Sequence, residues 1–251
     1  MKSGLLSVTF RNLSTREIIS LANRSELQGI EWGGDVHVPP SDTANAIVVG
    51  KATRDAGMEV SAYGSYYRLG HEDSGPIEAV LEVARALETD TVRIWTGKEG
   101  SDKASSEYRQ RIAQDGRRVA ELAAQAGIRI ACEWHANTLT DTAASAEELF
   151  TAVDHPNFLT FWQPRNLQPT EFSLAEMDTA LPRLIGLHVF HWDPVTRDRL
   201  PLDQGSSAWK VYLAKASQCG DLFASLEFVA NDDPERMVAD AATLREWLSG
   251  I

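Results

Sequence analysis

Two glutamates stand inside otherwise apolar stretches of this 251-residue chain. Glu133 follows Ile130-Ala131-Cys132, and Glu227 follows Ala224-Ser225-Leu226. A buried carboxylate without a partner is strongly unfavourable, so each one needs a cation, a metal or a hydrogen-bond network. Two opposed carboxylates suit a reaction in which a proton is taken from one face of a carbon and returned to the other. The alternative is that each glutamate pairs with an arginine such as Arg93.

A histidine lies between these glutamates in chain order, again within an apolar stretch. His188 belongs to Leu187-His188-Val189, and a ligand role competes with that of a packed core histidine. Oxygen and nitrogen donors from glutamate, histidine and glutamate suit Mn, Mg, Co or Zn. His135 follows Glu133 by two residues and shares its face of a strand, where it can orient a substrate hydroxyl or a metal ligand.

The elements that must position these residues alternate along the chain. Short stretches rich in β-branched and aromatic residues predict eight strands, at Leu5–Phe10, Gly29–Trp32, Glu59–Tyr63, Thr91–Trp95, Arg129–Glu133, Phe158–Trp162, Gly186–His191 and Phe223–Phe228. A capping box at Ser14 and Glu17 predicts the start of a first helix. Helical spacing predicts seven more helices, at Asp42–Ala56, Pro76–Leu87, Ser105–Ala126, Ser145–Val153, Ser173–Leu181, Trp209–Ser217 and Asp233–Leu248. Gly57 and Gly127 are placed to end two of them.

Eight strand–helix units of about thirty residues each are typical of an α/β fold, the (β/α)8 TIM barrel. No linker-like segment divides residues 1–251, so a single domain is predicted. An open doubly wound sheet is the alternative, but the chain lacks the glycine-rich nucleotide motifs that usually accompany it. In a barrel the catalytic groups lie at the C-terminal ends of the strands, which would bring Glu133, His188 and Glu227 together.

Further side chains near the predicted strand ends are candidates for substrate contacts. Trp32, His37 and Tyr66 are expected to form an aromatic wall, and Arg93 and Arg165 to bind an acidic group of the substrate. Other substrate contacts are expected from His135, Asn166 and His191.

Composition excludes several classes of protein. The formal net charge of −12 argues against nucleic acid as a partner, because such partners require clustered positive charge. The chain contains no apolar run long enough to span a membrane, and its start lacks the features of a secretory signal. Two cysteines are too few for a disulfide scaffold. A cytoplasmic location is therefore expected.

Four short motifs in this order resemble the xylose isomerase-like TIM barrel superfamily of sugar isomerases, epimerases and AP endonucleases. They are Gly29-Ile30-Glu31-Trp32, Cys132-Glu133-Trp134-His135, Leu187-His188-Val189 and Leu226-Glu227-Phe228. The resemblance implies one divalent metal held by Glu133, Gln163, His188 and Glu227, with the two glutamates as the acid–base pair. The family's strand 6 motif is an Asp followed three residues later by His. Here Gln163 and Asn166 replace both with amides.

The resemblance favours a metal-assisted isomerase or epimerase of a small sugar or keto-sugar. The first alternative is a dehydratase of the inosose type, whose reaction begins with the same proton abstraction. A second alternative is a metal-free sugar-binding or regulatory protein. The DNA-repair branch is disfavoured, because its zinc cluster needs many ligands and the chain has 6 histidines and an acidic balance. Because dimers and tetramers are common in the family, the resemblance implies a homo-oligomer.

Overall fold

The computed structural model describes residues 1–165 and 168–251 of the chain. Its centre is a closed barrel of eight parallel strands, each paired with the next and the last paired with the first. The strands are β1 Lys2–Leu6, β2 Gly29–Gly33, β3 Glu59–Arg68, β4 Thr91–Trp95, β5 Arg129–Glu133, β6 Phe158–Trp162, β7 Leu184–Val189 and β8 Phe223–Leu226. The predicted single-domain (β/α)8 barrel is confirmed.

Eight helices surround the barrel, one after each strand. They are α1 Thr15–Arg24, α2 Thr43–Asp55, α3 Ile77–Leu87, α4 Ser106–Gln125, α5 Ala143–Val153, α6 Thr170–Ala180, α7 Ser206–Ala216 and α8 Pro234–Ser249. The capping box of α1 is present, with the Ser14 side chain accepting from the Glu17 backbone N–H. Gly57 and Gly127 follow α2 and α4 with φ of 82° and 70°, a backbone conformation that glycine adopts without strain.

Five predicted strands differ from the observed ones at their ends. β2 extends one residue further, to Gly33, and β3 extends five residues further, to Arg68. The first strand ends at Leu6, and Ser7–Phe10 forms a short 3₁₀ helix instead of continuing it. β7 begins two residues before the predicted start and ends at Val189. β8 ends at Leu226, so Glu227 lies just beyond its strand rather than within it. This places the Glu227 side chain at the mouth of the barrel.

The inside of the barrel changes from apolar to polar along its axis. Ala62, Ala131 and Phe161 form a small buried cluster within the lumen. Gly186 on β7 leaves room for the Phe161 ring, which a side chain at this position would clash with. On its other side the ring stacks on the His188 imidazole, with centroids 5.2 Å apart. Phe161 therefore separates the apolar end of the lumen from the predicted site.

None of the helices in the described part of the chain has the length and apolar character needed to cross a bilayer. The cytoplasmic location and the homo-oligomer stay predictions.

Candidate active site

Five ionisable side chains converge inside the barrel, on strands that are distant in sequence. Each side chain belongs to a residue with at most 7% of its surface exposed: Glu31 on β2, Arg93 on β4, Glu133 on β5, His188 on β7 and Glu227 after β8. We call these residues the central cluster. The predicted convergence of Glu133, His188 and Glu227 is present, because parallel strands bring their C-terminal ends to one face.

Arg93 bridges two of the glutamates. Its Nε donates to Glu31 Oε1 at 2.5 Å, and its Nη1 donates to Glu133 Oε2. Gly64 on β3 makes room for this arrangement, since a Cβ there would lie 2.6 Å from the guanidinium and 2.8 Å from the Glu31 carboxylate. The expected substrate contact by Arg93 is therefore corrected: its guanidinium is buried and both of its carboxylate partners belong to the protein.

His188 lies among three carboxylates. Its Nε2 is 3.3 Å from Glu31 Oε2, whereas Nδ1 is 3.6 Å from Glu133 Oε1 and 3.9 Å from Glu227 Oε2. Nδ1 is buried and makes no hydrogen bond with any residue that the structure describes. Glu31 thus fixes one side of the ring and leaves the Nδ1 side facing Glu133 and Glu227.

The pKa values of the Glu133 and Glu227 carboxyls are shifted in opposite directions. Burial alone would raise the pKa of Glu133, but the charges of Arg93 and His188 hold this pKa well below its usual range. Burial raises the pKa of Glu227 to about 7, with His188 opposing the shift. Burial would lower the pKa of His188, but the carboxylates, Glu31 first, raise it to about 10. Glu133 is therefore a permanent anion, whereas Glu227 changes charge near neutral pH.

Replacing Arg93 with methionine is expected to destabilise the protein by about 3–5 kcal/mol, because two buried carboxylates lose their cation. Arg129→Met is the control, since Arg129 pairs with Asp90 at 2.8 Å on the surface, where such a pair contributes at most about 1 kcal/mol. Urea denaturation of both variants measures the difference. Equal midpoints would contradict the assignment of Arg93 to a buried ion pair.

A cavity of about 500 Å³ opens beside the central cluster at the C-terminal face of the barrel. Its walls come from the segments that follow β4 to β8 and include His135, Gln163, Arg165, Arg197 and Glu227. The volume lies within the usual range for small-molecule sites. The structure therefore brings three predicted site residues, His135, Gln163 and Arg165, to one cavity that Glu227 also lines.

Arg197 reaches this cavity from a short hairpin formed by residues 192–199. The Asp193 carboxylate closes the turn by accepting from the backbone N–H groups of Val195 and Thr196, at 2.8 and 2.7 Å. Arg197 itself has a left-handed backbone, with φ of 65°. Its contribution was not predicted, because no apolar strand marks it and a loop arginine carries no distinguishing sequence signal.

The structure contradicts the predicted substrate contacts of Trp32 and His37, because both side chains are buried away from the cavity. Trp32 points out of the barrel, where its Nε1 donates to Thr53 of α2 at 3.1 Å. His37 is 6% exposed, and its ring nitrogens lie 3.0 Å from Ser7 Oγ and 3.1 Å from the Leu13 carbonyl oxygen. Neither side chain is available to a ligand in the cavity.

Two further predicted contacts, Tyr66 and His191, lie beside the cavity rather than on it. The Tyr66 hydroxyl accepts from Arg11, and the ring packs 5.8 Å from that of Trp95. His191 lines a neighbouring cavity of about 310 Å³ between the loop after β7 and the start of α7. Asn166 lies outside the described residues.

Glu31 was missed as a site residue, although it carries the same signal as the other two glutamates. It is a carboxylate within the apolar stretch Gly29–Gly33 and is 2% exposed. Treating every charged residue inside a strand alike would have identified it.

The residues of the central cluster fit a divalent cation. One ligand atom each from Glu133, His188 and Glu227 lie within 4.8 Å of one another. Ligands about 2.1 Å from a common Mg²⁺ ion lie at most about 4.2 Å apart, so a small inward movement suffices. Two buried atoms beside this triangle, His188 Nδ1 and Gln163 Oε1, make no hydrogen bond with any described residue, and a cation would satisfy both.

Comparison with known proteins gives one family and several relatives. The sequence model of the xylose isomerase-like TIM barrel family matches residues 19–247. A curated relative, 3-dehydroshikimate dehydratase from Bacillus anthracis, is 29% identical over 182 residues, which cover 65% of this chain and 64% of that protein. The match thus spans slightly less than two thirds of the relative's length.

Two solved structures share the fold. A probable 3-DHS dehydratase involved in petrobactin synthesis, also from Bacillus anthracis, superimposes with a TM-score of 0.81 at 23% identity, covering 98% of this chain and 99% of that one. A xylose isomerase-like TIM barrel protein from Mycobacterium smegmatis in complex with magnesium gives a TM-score of 0.72 at 12% identity, covering 99% and 97%.

Proposed function

Because the chain belongs to the xylose isomerase-like TIM barrel family, we propose that it is a metal-dependent dehydratase of a small ring keto acid of the 3-dehydroshikimate type. One observation carries this proposal. A histidine, a buried carboxyl and two arginines line one cavity beside a cluster that fits a divalent cation. The similarity to a 3-dehydroshikimate dehydratase favours dehydration over the isomerase or epimerase reaction that the sequence suggested.

Basic side chains around the cavity support a substrate with a carboxylate. His135, Arg165 and Arg197 line it together with the acidic residues Asp102, Asp141 and Glu227. Arg165 already pairs with Glu176 at 2.9 Å, which leaves Arg197 as the better candidate for a charged contact with the substrate. An uncharged keto-sugar would gain little from the Arg197 guanidinium, whereas a ring carboxylate would form a charge-assisted hydrogen bond with it.

Glu133, His188 and Glu227 would hold the metal, with Gln163 beside them. A divalent cation bound there would polarise the ketone oxygen of the substrate and stabilise the negative charge that develops on it. The carboxylate of Glu31 accepts from His188 Nε2 and leaves Nδ1 facing the other ligands, where a bound cation would take the place of the Nδ1 proton. In this proposal Glu133 and Glu227 would serve as ligands, one of the two roles predicted for them from the sequence, and the acid–base role passes to another residue.

His135 is the proposed base. Its Nδ1 lies 2.7 Å from the Ala136 carbonyl oxygen, and because a carbonyl only accepts, Nδ1 carries the proton and Nε2 keeps its lone pair. Nε2 takes the proton from the carbon next to the ketone, and the electrons of that C–H bond move towards the ketone oxygen. These electrons then expel the hydroxyl from the following carbon. The imidazolium gives its proton to that hydroxyl, so one water leaves and neutral His135 is restored.

Replacing Arg197 with glutamine is expected to raise KM about 10- to 100-fold, the loss typical of one hydrogen bond between charged groups, with a smaller effect on kcat. Arg85→Gln on the exposed face of α3 is the matched control and should leave both constants unchanged. Steady-state kinetics with the keto acid distinguish the two variants. An unchanged KM for Arg197→Gln would remove this arginine from the substrate site.

A substrate panel tests the proposed function. The protein is loaded with Mn²⁺ and incubated separately with 3-dehydroshikimate and with the ketohexoses fructose and tagatose, with a parallel series in EDTA. Dehydration of the keto acid, abolished by EDTA, with no change in the ketohexoses is the expected result. Epimerisation of a ketohexose would restore the isomerase prediction. Ligand binding without turnover or metal would support the sugar-binding alternative.

A further inference from the structure

Trp95, the last residue of β4, contacts both Glu133 and His135. Its indole Nε1 donates to Glu133 Oε2 at 2.6 Å. One face of the indole stacks on the His135 ring, with centroids 4.4 Å apart and an angle of 22° between the planes. The Arg68 guanidinium also lies over the indole, 3.7 Å from the ring centroid.

The two oxygens of the Glu133 carboxylate have different partners. Oε2 accepts from Arg93 and from Trp95, so its lone pairs are occupied. Oε1 faces His188 Nδ1 at 3.6 Å and the Gln163 amide at 3.3 Å. A cation held between Glu133 and His188 is therefore offered Oε1 alone, in a fixed direction.

The stack also restricts His135. Within the described part of the chain its imidazole has one hydrogen bond, to the carbonyl of the neighbouring Ala136, and it is partly exposed on the cavity. Without a neighbour on its face, the ring would be free to turn about its side-chain bonds. The flat indole restricts this rotation. The Arg68 guanidinium packs on the indole through a cation–π contact and stabilises its position.

We propose that Trp95 is a positioning residue with two separable roles, fixing Glu133 for monodentate metal binding through Oε1 and holding the plane of the His135 ring. The proposal rests on the metal site and the base of the proposed function. The first role depends on the indole N–H, and the second depends only on a flat ring. Two substitutions at this position can therefore tell the roles apart.

Trp95→Phe removes the N–H and keeps an aromatic face, whereas Trp95→Leu removes both. Both variants are expected to weaken Mn²⁺ binding, measured by isothermal titration, by the same factor of about 10–100, as for other groups that orient metal ligands. Trp95→Leu should lose at least about a further tenfold in kcat relative to Trp95→Phe, with little change in KM, because the base is no longer oriented.

Trp32→Phe is the matched control, because it removes an indole N–H hydrogen bond from a buried tryptophan on the outer side of the barrel. Its Mn²⁺ affinity should equal that of the wild type, and thermal melts of all variants check that the fold is retained. Wild-type affinity in Trp95→Phe would overturn the first role, and equal kcat in Trp95→Phe and Trp95→Leu would overturn the second. A wild type that binds no Mn²⁺ would instead refute the metal site on which both roles depend.

Discussion

Replacing His135 with glutamine is expected to lower kcat for dehydration by about 10²–10⁴, the usual contribution of a general base. The affinity for Mn²⁺ should stay within about threefold of the wild type, because a loss of about tenfold or more is expected only for residues that orient a metal ligand. A lower kcat with a nearly unchanged Mn²⁺ affinity would show that His135 acts in proton transfer and not in metal binding. Glutamine retains a polar side chain of comparable length but has no basic nitrogen.

His155→Gln is the control for this substitution. His155 lies at the opposite end of the barrel, before β6, where its Nδ1 accepts from the Asn157 backbone N–H. Its replacement should leave kcat and metal affinity unchanged. Wild-type kcat in His135→Gln would mean that another group takes the proton, and Glu227, which also lines the cavity, would be the next candidate.

Replacing Glu227 with glutamine is expected to abolish turnover and to reverse the order of stabilities when metal is added. In the metal-free protein the folded pKa of Glu227 is raised to about 7, whereas an unfolded glutamate has a pKa of about 4.3. Between these values the folded form keeps a proton that the unfolded form releases, so the Glu227 contribution to stability falls as pH rises. Without metal, Glu227→Gln should therefore be the more stable protein at pH 8.

Added Mn²⁺ should raise the melting temperature of the wild type and leave that of Glu227→Gln nearly unchanged, because only the form that binds the ion is stabilised. At pH 5, where the wild-type carboxyl is protonated, the two metal-free proteins should melt close together. Melting curves with EDTA and with Mn²⁺ at both pH values measure these effects. A wild type that is the more stable protein in EDTA at pH 8 would contradict the raised pKa of Glu227.

Much of the fold could be predicted because each strand–helix unit carries its own local signals. The apolar strands, the capping box at Ser14 and the glycines after α2 and α4 are all readable without tertiary information. The ends of β1 and β8 were less predictable, since apolar residues continue past them into a 3₁₀ helix and into the mouth of the barrel.

The candidate site was predictable where burial conflicts with charge and unpredictable where only orientation decides. Glu133, His188 and Glu227 are polar residues in apolar stretches, and the structure brings them together. Trp32 was assigned to the cavity, although alternation along β2 points Glu31 inward and sends its neighbour outward to α2. Arg93 does face the lumen. Its burial and its pairing with Glu31 and Glu133 depend on strands that are distant in sequence, so no local pattern reveals them.

The most direct test of the account is the mass of the product formed from 3-dehydroshikimate by the Mn²⁺-loaded protein, with EDTA-treated protein alongside. We expect a product lighter than the substrate by one water molecule, formed by the wild type with metal and absent with EDTA or in His135→Gln. A product of unchanged mass, or equal formation of the dehydrated product by His135→Gln, would contradict a dehydratase in which His135 moves the proton.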